Sequence, residues 1–583
     1  MARLDYSAPG VYVEEVDRGS RPITGIPMSV GGFVGFTEDI RGDAELFSPM
    51  LVTSWTEYLE YFAKAGSDGF TNFDAYLPFA VKGWFDNGGG RCWVVSIGTQ
   101  LPGKKGDESE NSESTKNEQN LLTTVKTAGK KPTLNFKIKA GEEDRDTGRV
   151  KVLIEPDTPR PGDSDDEEDQ PFDTGEFFKV TLKQGNDTLK YTPPGESEEK
   201  EAIYRHLSMD DKVDEKSGTY AETALADCPF LEVALPQDAA GGLALARRPA
   251  NGIYEVSPPP QTYSVDKLHQ KLYGVRQDRT GVQGLFEIDE VSMVACPDLM
   301  LAYQKGLLDL DQVHGILEVM ITNCENSAPS PAYRMAVLDM PPVKIRRDAQ
   351  QVITPDRQKP QDVKNWMDTW GRRSQFAALY YPWINVPNPR NNGKPIAVPP
   401  CGHMMGIWCQ TDESRGVYKA PANVTPRGVT QLAYDVNFRE QELLNPMGVN
   451  CIRNMPDRGI RVWGARTLVE PDNVQWRYIS VRRLMSYIEK SIEQGTQWAV
   501  FEPNDEDLWA RVTRTVKNFL ERLWREGALF GRTPEEAFYV KCDGELNTPE
   551  TMMLGRLYID VGVSPVRPAE FVVFRISQWS PNQ

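Results

Sequence analysis

Three soft side chains in PPCGHMMGIWC, namely Cys401, His403 and Cys409, lie close enough in sequence to suggest a zinc site. Zinc takes four such ligands in a tetrahedron, and neither a fourth ligand nor a standard spacing accompanies them. The stretch reads instead as buried small residues opening a helix. A catalytic triad needs a His held between a Ser on a sharp turn and an acid behind it. The chain has four histidines, His206, His269, His314 and His403. His206 falls in an acidic stretch, His269 and His314 fall in helical patterns, and no Gly-framed Ser answers them. The glycines of GGFVG and NGGGR carry neither the Lys-Ser/Thr of a phosphate loop nor a GxGxxG, so they read as turn glycines. The sequence therefore predicts no catalytic, cofactor-binding or metal-binding set, and no enzyme.

One pattern survives this weighing. NDEDLWARVTRTVKNFLERLWREG (504–527) reads as a helix capped by Asn504, with Asp505, Glu506 and Asp507 favouring the positive end of its dipole. At 100° per residue Leu508, Val512, Val516, Phe519, Leu520 and Leu523 share one face. Arg511, Arg514, Arg522 and Arg525 fall within roughly 80° on the opposite side. In a chain of net charge −18 this stripe stands out. Its readings are a solvated face or a docking surface for an acidic partner.

The elements that position such features follow from composition and pattern. At 583 residues the chain is too long for one core. A hydrophobic fraction of 39% and a charged fraction of 26% describe a globular protein. No apolar run reaches the about eighteen residues of a membrane span, and no signal peptide opens the chain. Net negative charge argues against nucleic acid as a partner. Eight scattered cysteines without a CxxC suit reduced thiols in a cytoplasm.

GGFVGF (31–36), the helical SWTEYLEYF (54–62) and YLPFAVKGWF (76–85), and the strand RCWVVSIG (91–98) give the grammar of a layered α/β unit. Residues 101–220 carry 28 acidic and 19 basic residues, so half of the excess charge sits in about a fifth of the chain. Within them TLNFKIKA, RVKVLIEP and FFKVTLKQG alternate as three strands of a small β domain that projects into solvent. Strands and helices alternate again from 286, favouring a largely parallel sheet. The expected fold class is α/β (α+β overall) and multidomain. An N-terminal arm occupies 1–22, and 23–100 form the N-terminal part of the core. An inserted, acidic, β-rich outer domain spans 101–285, an α/β domain 286–445 and a C-terminal domain 446–566. A C-terminal arm strand closes the chain at 567–583.

The two ends mirror each other. PGVYVEEV (9–16) and PAEFVVFRISQW (568–579) read as strands with no hairpin partner, each presenting unpaired N–H and C=O groups. SAPGVYVEEVDRGSRPITG, NGGGRCWVV, RGVYKAPAN (415–423), NPMGVNCIRNMPDRGIRVWGARTL (445–468), WAVFEPNDEDLWARV (498–512) and RPAEFVVFRIS (567–577) together resemble the tail sheath family of contractile phage tails and contractile injection systems. The resemblance covers about 1–100 and 286–583, in order. It implies a subtilisin-like, non-catalytic 286–445 domain and a C-terminal sheath domain at 446–566.

The resemblance also implies a structural subunit that polymerises as a six-start helix around an inner tube. The extended sheath stores free energy, and contraction drives the tube through a target envelope. Implied partners are further copies of the chain, the inner tube protein, and baseplate and terminal cap proteins, with no membrane insertion. Implied assembly is in the producing cell's cytoplasm, as part of a phage tail or injection-system particle. The arm strands, Val11, Tyr12, Val13 and Glu14 at one end and Phe571, Val572, Val573 and Phe574 at the other, would add to sheets of neighbouring subunits. Arg511, Arg514, Arg522 and Arg525 would face the inner tube. A monomeric binding module or a hydrolase on an α/β scaffold is the alternative; the first leaves both terminal strands unexplained and the second lacks a triad.

Overall fold

The computed structural model describes residues 22–103, 123–139, 150–160, 175–184, 187–191, 199–214, 217–226, 228–236, 243–256, 263–325, 333–347, 350–356 and 358–574. The body is built on an eight-stranded sheet. Its strands are β1 (Val30–Gly35), β2 (Pro49–Val52), β3 (Arg91–Ser96), β4 (Met293–Ala295), β5 (Met335–Asp339), β6 (Ala377–Tyr381), β7 (Val449–Met455) and β8 (Gly459–Val462). They lie in the order β2-β3-β1-β4-β5-β6-β7-β8. The six central strands run parallel, as in the registers Gly31↔Met293 and Val337↔Ala378, and β2 and β8 close the edges antiparallel. The sequence reason is plain: MVA, MAVLD and AALYY are continuous apolar runs buried on both faces, which suits a parallel sheet covered by helices.

Nine helices position the features discussed below: α1 (Trp55–Phe62), α2 (Tyr76–Asp86), α3 (Val265–Tyr273), α4 (Asp298–Gln304), α5 (Leu310–Glu325), α6 (Pro360–Trp370), α7 (Cys401–Arg415), α8 (Ile479–Gly495) and α9 (Glu506–Arg525). The backbones of α2 and α7 touch, and glycine makes this possible. A Cβ on Gly402 would stand 2.1 Å from the Ala80 carbonyl oxygen, and one on Gly406 2.6 Å from that of Trp84. The buried carboxylate of Asp298 accepts from the N–H groups of Phe36 (2.7 Å), Tyr76 (2.6 Å) and Leu77 (3.3 Å). It thus ties the end of β1 to the unsatisfied donors that begin α2. Burial pushes its carboxyl up to about 7 against those three bonds. Asp339, at the end of β5, does the same for α7 through the Cys401 N–H at 2.9 Å.

The insertion has its own core, in which Val125, Phe136, Val152, Ile154, Val180, Leu182 and Leu231 are buried between two largely antiparallel sheets. The three strands read from alternation appear as Pro132–Ile138, Val150–Pro156 and Phe178–Gln184. Its entry and exit meet at one neck, where the Tyr263 hydroxyl donates to the Ile97 carbonyl at 2.8 Å.

Two expected boundaries move. The segment 263–285, assigned to the insertion, buries Leu268, Leu272, Val282 and Leu285 in the body's core. The boundary at 446 is also displaced, because β7 pairs parallel with β6 and so extends the body's sheet. The C-terminal domain follows Leu468. It packs α8, α9 and the hairpin Phe538–Lys541/Asp560–Val563 around Leu484, Val512, Val516, Phe519 and Leu520, with Ile23 inserted from the chain's start.

Candidate assembly interface

α9 forms as its periodicity requires. Leu508, Val512, Val516, Phe519, Leu520 and Leu523 are all buried. The cap is Asp505, whose carboxylate accepts the Leu508 N–H at 2.8 Å. Asn504, the expected cap, instead accepts from the Trp509 indole at 2.7 Å and donates to the Arg556 carbonyl at 3.0 Å. The basic side is less uniform than its spacing suggests. Arg511 pairs with Glu502 at 3.3 Å and lies over the Trp498 ring, and Arg525 pairs with Glu521 at 2.5 Å. Arg522 donates to the Ile23 carbonyl at 2.9 Å, so it anchors the chain's start. Arg514 faces an open groove of about 680 Å³ beside Lys517, and neither has an ion pair among the described residues.

α8 offers no comparable surface. Arg482 is sandwiched between the rings of Phe376 and Trp476, 4.8 and 4.4 Å from their centroids. Arg483 makes a two-pronged pair with Asp412 of α7 and donates to the Met28 carbonyl at 2.7 Å. Lys490 donates to the Asp289 carbonyl at 2.7 Å. These contacts are spent fastening the C-terminal domain to the body.

Val11, Tyr12, Val13 and Glu14 lie outside the described residues. At the other end, Phe571, Val572, Val573 and Phe574 form no strand in this chain and stand 68–82% exposed. Just before them is a clasp that sequence reasoning missed. Glu570 accepts from Arg466 Nε (2.9 Å) and Nη2 (2.7 Å), from Asn445 Nδ2 (2.9 Å) and from the Tyr478 hydroxyl (2.9 Å). Burial pushes its carboxyl up, but the bonds from Arg466, Asn445 and Tyr478 outweigh that and hold it below the ordinary glutamate value. The available signal was an Arg inside the apolar run RVWGARTL, which needs a carboxylate wherever it is buried.

Exposed apolar surface is concentrated here. Of twenty exposed large apolar side chains among the described residues, twelve lie at 474–574. Phe501 is fully exposed at a loop tip with φ +67°, a strained conformation for a bulky residue. Cys401, His403 and Cys409 all lie buried on α7, and no group of three potential ligands converges among the described residues. Burial lowers His403 to about 4, so its imidazole is neutral.

These features define a multidomain α/β protein whose C-terminal domain carries most of its exposed apolar side chains among the described residues. Comparison with known proteins gives the class a family. Residues 333–468 match the model of the phage tail sheath protein central domain, and 472–578 that of the phage tail sheath C-terminal domain. Residues 333–468 and 472–578 thus carry the central and C-terminal domains of the phage tail sheath family. The tail sheath protein of Salmonella phage ViI is 24% identical over 226 residues, 38% of this chain and 34% of that protein. That of Escherichia phage P2 is 27% identical over 177 residues, 29% of this chain and 42% of that protein. The chain thus spans less than half the length of the curated relatives it matches. The sheath complex of an extracellular contractile injection system, PVC, solved in the contracted state, shares the fold at TM-score 0.51 and 19% identity, over 98% of both chains.

Proposed function

We propose that the protein is a structural subunit of a contractile tail sheath. It polymerises helically, as a six-start lattice, around an inner tube in a high-energy extended state. Contraction then drives the tube through a target envelope. The observation that carries this reading is the C-terminal segment Phe571–Phe574, apolar, exposed and rooted by the Glu570 clasp, with no strand partner among the described residues. A segment with that composition is stabilised by adding to another sheet.

The acceptor is the hairpin Phe538–Lys541/Asp560–Val563, a two-stranded sheet with no third strand among the described residues. Tyr539, Phe530, Met553 and Leu554 stand exposed in the same domain. The N-terminal strand around Val11, Tyr12, Val13 and Glu14 supplies the second link. A head-to-tail contact that does not close generates a filament. Arg511, Arg514, Arg522 and Arg525 line the side turned toward the inner tube, with Arg514 the cation most free to meet an acidic tube surface. Baseplate and terminal cap proteins bound the polymer, and assembly takes place in the producing cell's cytoplasm.

The role is mechanical, not catalytic. Purified protein viewed by negative-stain microscopy should form hollow helical polymers of uniform width. A monodisperse monomer at every concentration, in the presence of inner tube protein, would sink the proposal.

A further inference from the structure

His314 belongs to no catalytic set, yet its ring lies at the centre of an aromatic cluster between two helices of the body. It is half-buried on α5 and stacks on Trp370 of α6, with ring centroids 5.9 Å apart. Trp370 stacks in turn on Trp366, one turn earlier on α6, at 4.8 Å. The Trp366 indole N–H donates to His314 Nε2 at 2.9 Å. An indole nitrogen can only donate, so this bond fixes the tautomer: Nε2 accepts, and the neutral ring carries its proton on Nδ1. Trp366 is only 8% exposed, so its N–H depends on this one acceptor.

Protonating Nε2 turns the acceptor into a second donor. Two N–H groups then face each other, and the indole loses its partner. The stack on Trp370 answers in part, since an imidazolium is attracted to an indole face. Desolvation of a half-buried charge works the other way. The surrounding charges do not reverse the balance. Asp311, one turn back on α5, favours the imidazolium, but burial outweighs it and holds His314 below the ordinary histidine value. Glu318, one turn on, is matched by Arg372 at 3.1 Å, just beyond α6. Asp362, one turn before Trp366, accepts the Lys359 N–H at 2.8 Å. From α3 comes His269, whose Nε2 would stand 3.4 Å from a Cβ on Gly315.

We propose that His314 is a pH-sensitive latch between α5 and α6: as neutral imidazole it pins Trp366, and on protonation this seam of the body loosens. The sign follows from the bond. The latch contributes fully above the ordinary value of 6.5 and is lost as pH falls through the lower, folded one. Asp298 acts in the opposite direction, which separates the two groups. The latch is a property of the single subunit and does not rest on polymerisation.

The test uses full-length protein carrying ¹⁵N-labelled histidine, whose ring signals distinguish the two neutral tautomers. His314, identified by the signals lost in His314→Gln, should carry its proton on Nδ1 above neutrality. Trp366→Phe removes the donor and should raise the His314 titration toward the ordinary value. Glutamine places a non-titrating acceptor near the position of Nε2. Hydrogen exchange of peptides from α5 and α6, corrected for the intrinsic effect of pH, should quicken about tenfold between neutrality and about pH 5 in the native chain. It should stay level in His314→Gln. A neutral ring protonated on Nε2 would overturn the proposal, as would equal quickening in both proteins or none in the native chain. Should His314→Gln fail to fold, the signal displaced by Trp366→Phe identifies His314, and its tautomer and titration decide.

Discussion

Breaking the clasp between Arg466 and Glu570 gives the sharpest energetic test of how the C-terminal arm is rooted. Arg466 is 9% exposed and Glu570 20% exposed in their side chains, so the pair lies between a surface bridge and a buried one. Surface pairs contribute about 0–1 kcal/mol, whereas breaking a fully buried pair costs about 3–5 kcal/mol. Glu570→Ala removes the acceptor for Arg466, Asn445 and Tyr478 together, and a cost of about 3 kcal/mol follows. The assay is a double-mutant cycle in urea with Arg466→Ala, Glu570→Ala and the double variant. A coupling energy of about 2 kcal/mol is expected at neutral pH. Because the folded Glu570 carboxyl titrates below its ordinary value, this contribution is fully present above that value and disappears as pH falls through the folded one. A coupling below about 0.5 kcal/mol, or one unchanged in strong acid, would show that the clasp does not root the arm.

Four further outcomes are expected. Asp298→Ala leaves three buried N–H donors unpaired and should cost about 3–6 kcal/mol in urea unfolding. With its folded value raised to about 7, native Asp298 favours the fold most at low pH, and this is progressively lost as pH rises toward 7; Asp298→Asn should flatten that slope. Deleting residues 1–17 stops short of the buried Ile23, so the melting temperature should barely move while polymer vanishes from negative-stain fields. Reversing Arg514 together with Arg525 to Glu should yield folded subunits whose sheaths are contracted or empty of tube, counted by microscopy. Trimming the acidic stretches 104–120 and 161–171 should leave assembly unchanged, which sedimentation of polymer would measure.

Much of the body was legible because its signals are local. Apolar runs gave the strands at 31–36 and 91–98, and a Ser cap with helical spacing gave α1 over Trp55–Phe62. The basic helix was legible too, though its cap moved by one residue because Asn and Asp serve that position equally well. The pair Arg525–Glu521 follows from i,i+4 spacing and was there to be read; Arg511–Glu502 crosses from loop to helix and was not. The Arg466–Glu570 clasp joins residues 104 positions apart, beyond the range of any periodicity. The misplaced boundaries have the same origin. α3 is amphipathic, and nothing in an amphipathic pattern says which of two cores its apolar face enters.

The neck closed by Tyr263 and Ile97 has a consequence for how such a chain can be changed. The described residues between 123 and 256 have a hydrophobic core of their own, and Ile97 and Tyr263, which flank the insertion, are hydrogen-bonded to each other. A fold entered and left at adjacent points can be exchanged for any module whose termini lie close together. The neck is thus a natural graft port. In a helical polymer it recurs once per subunit, so a single genetic exchange would dress the particle with a regular array of foreign domains.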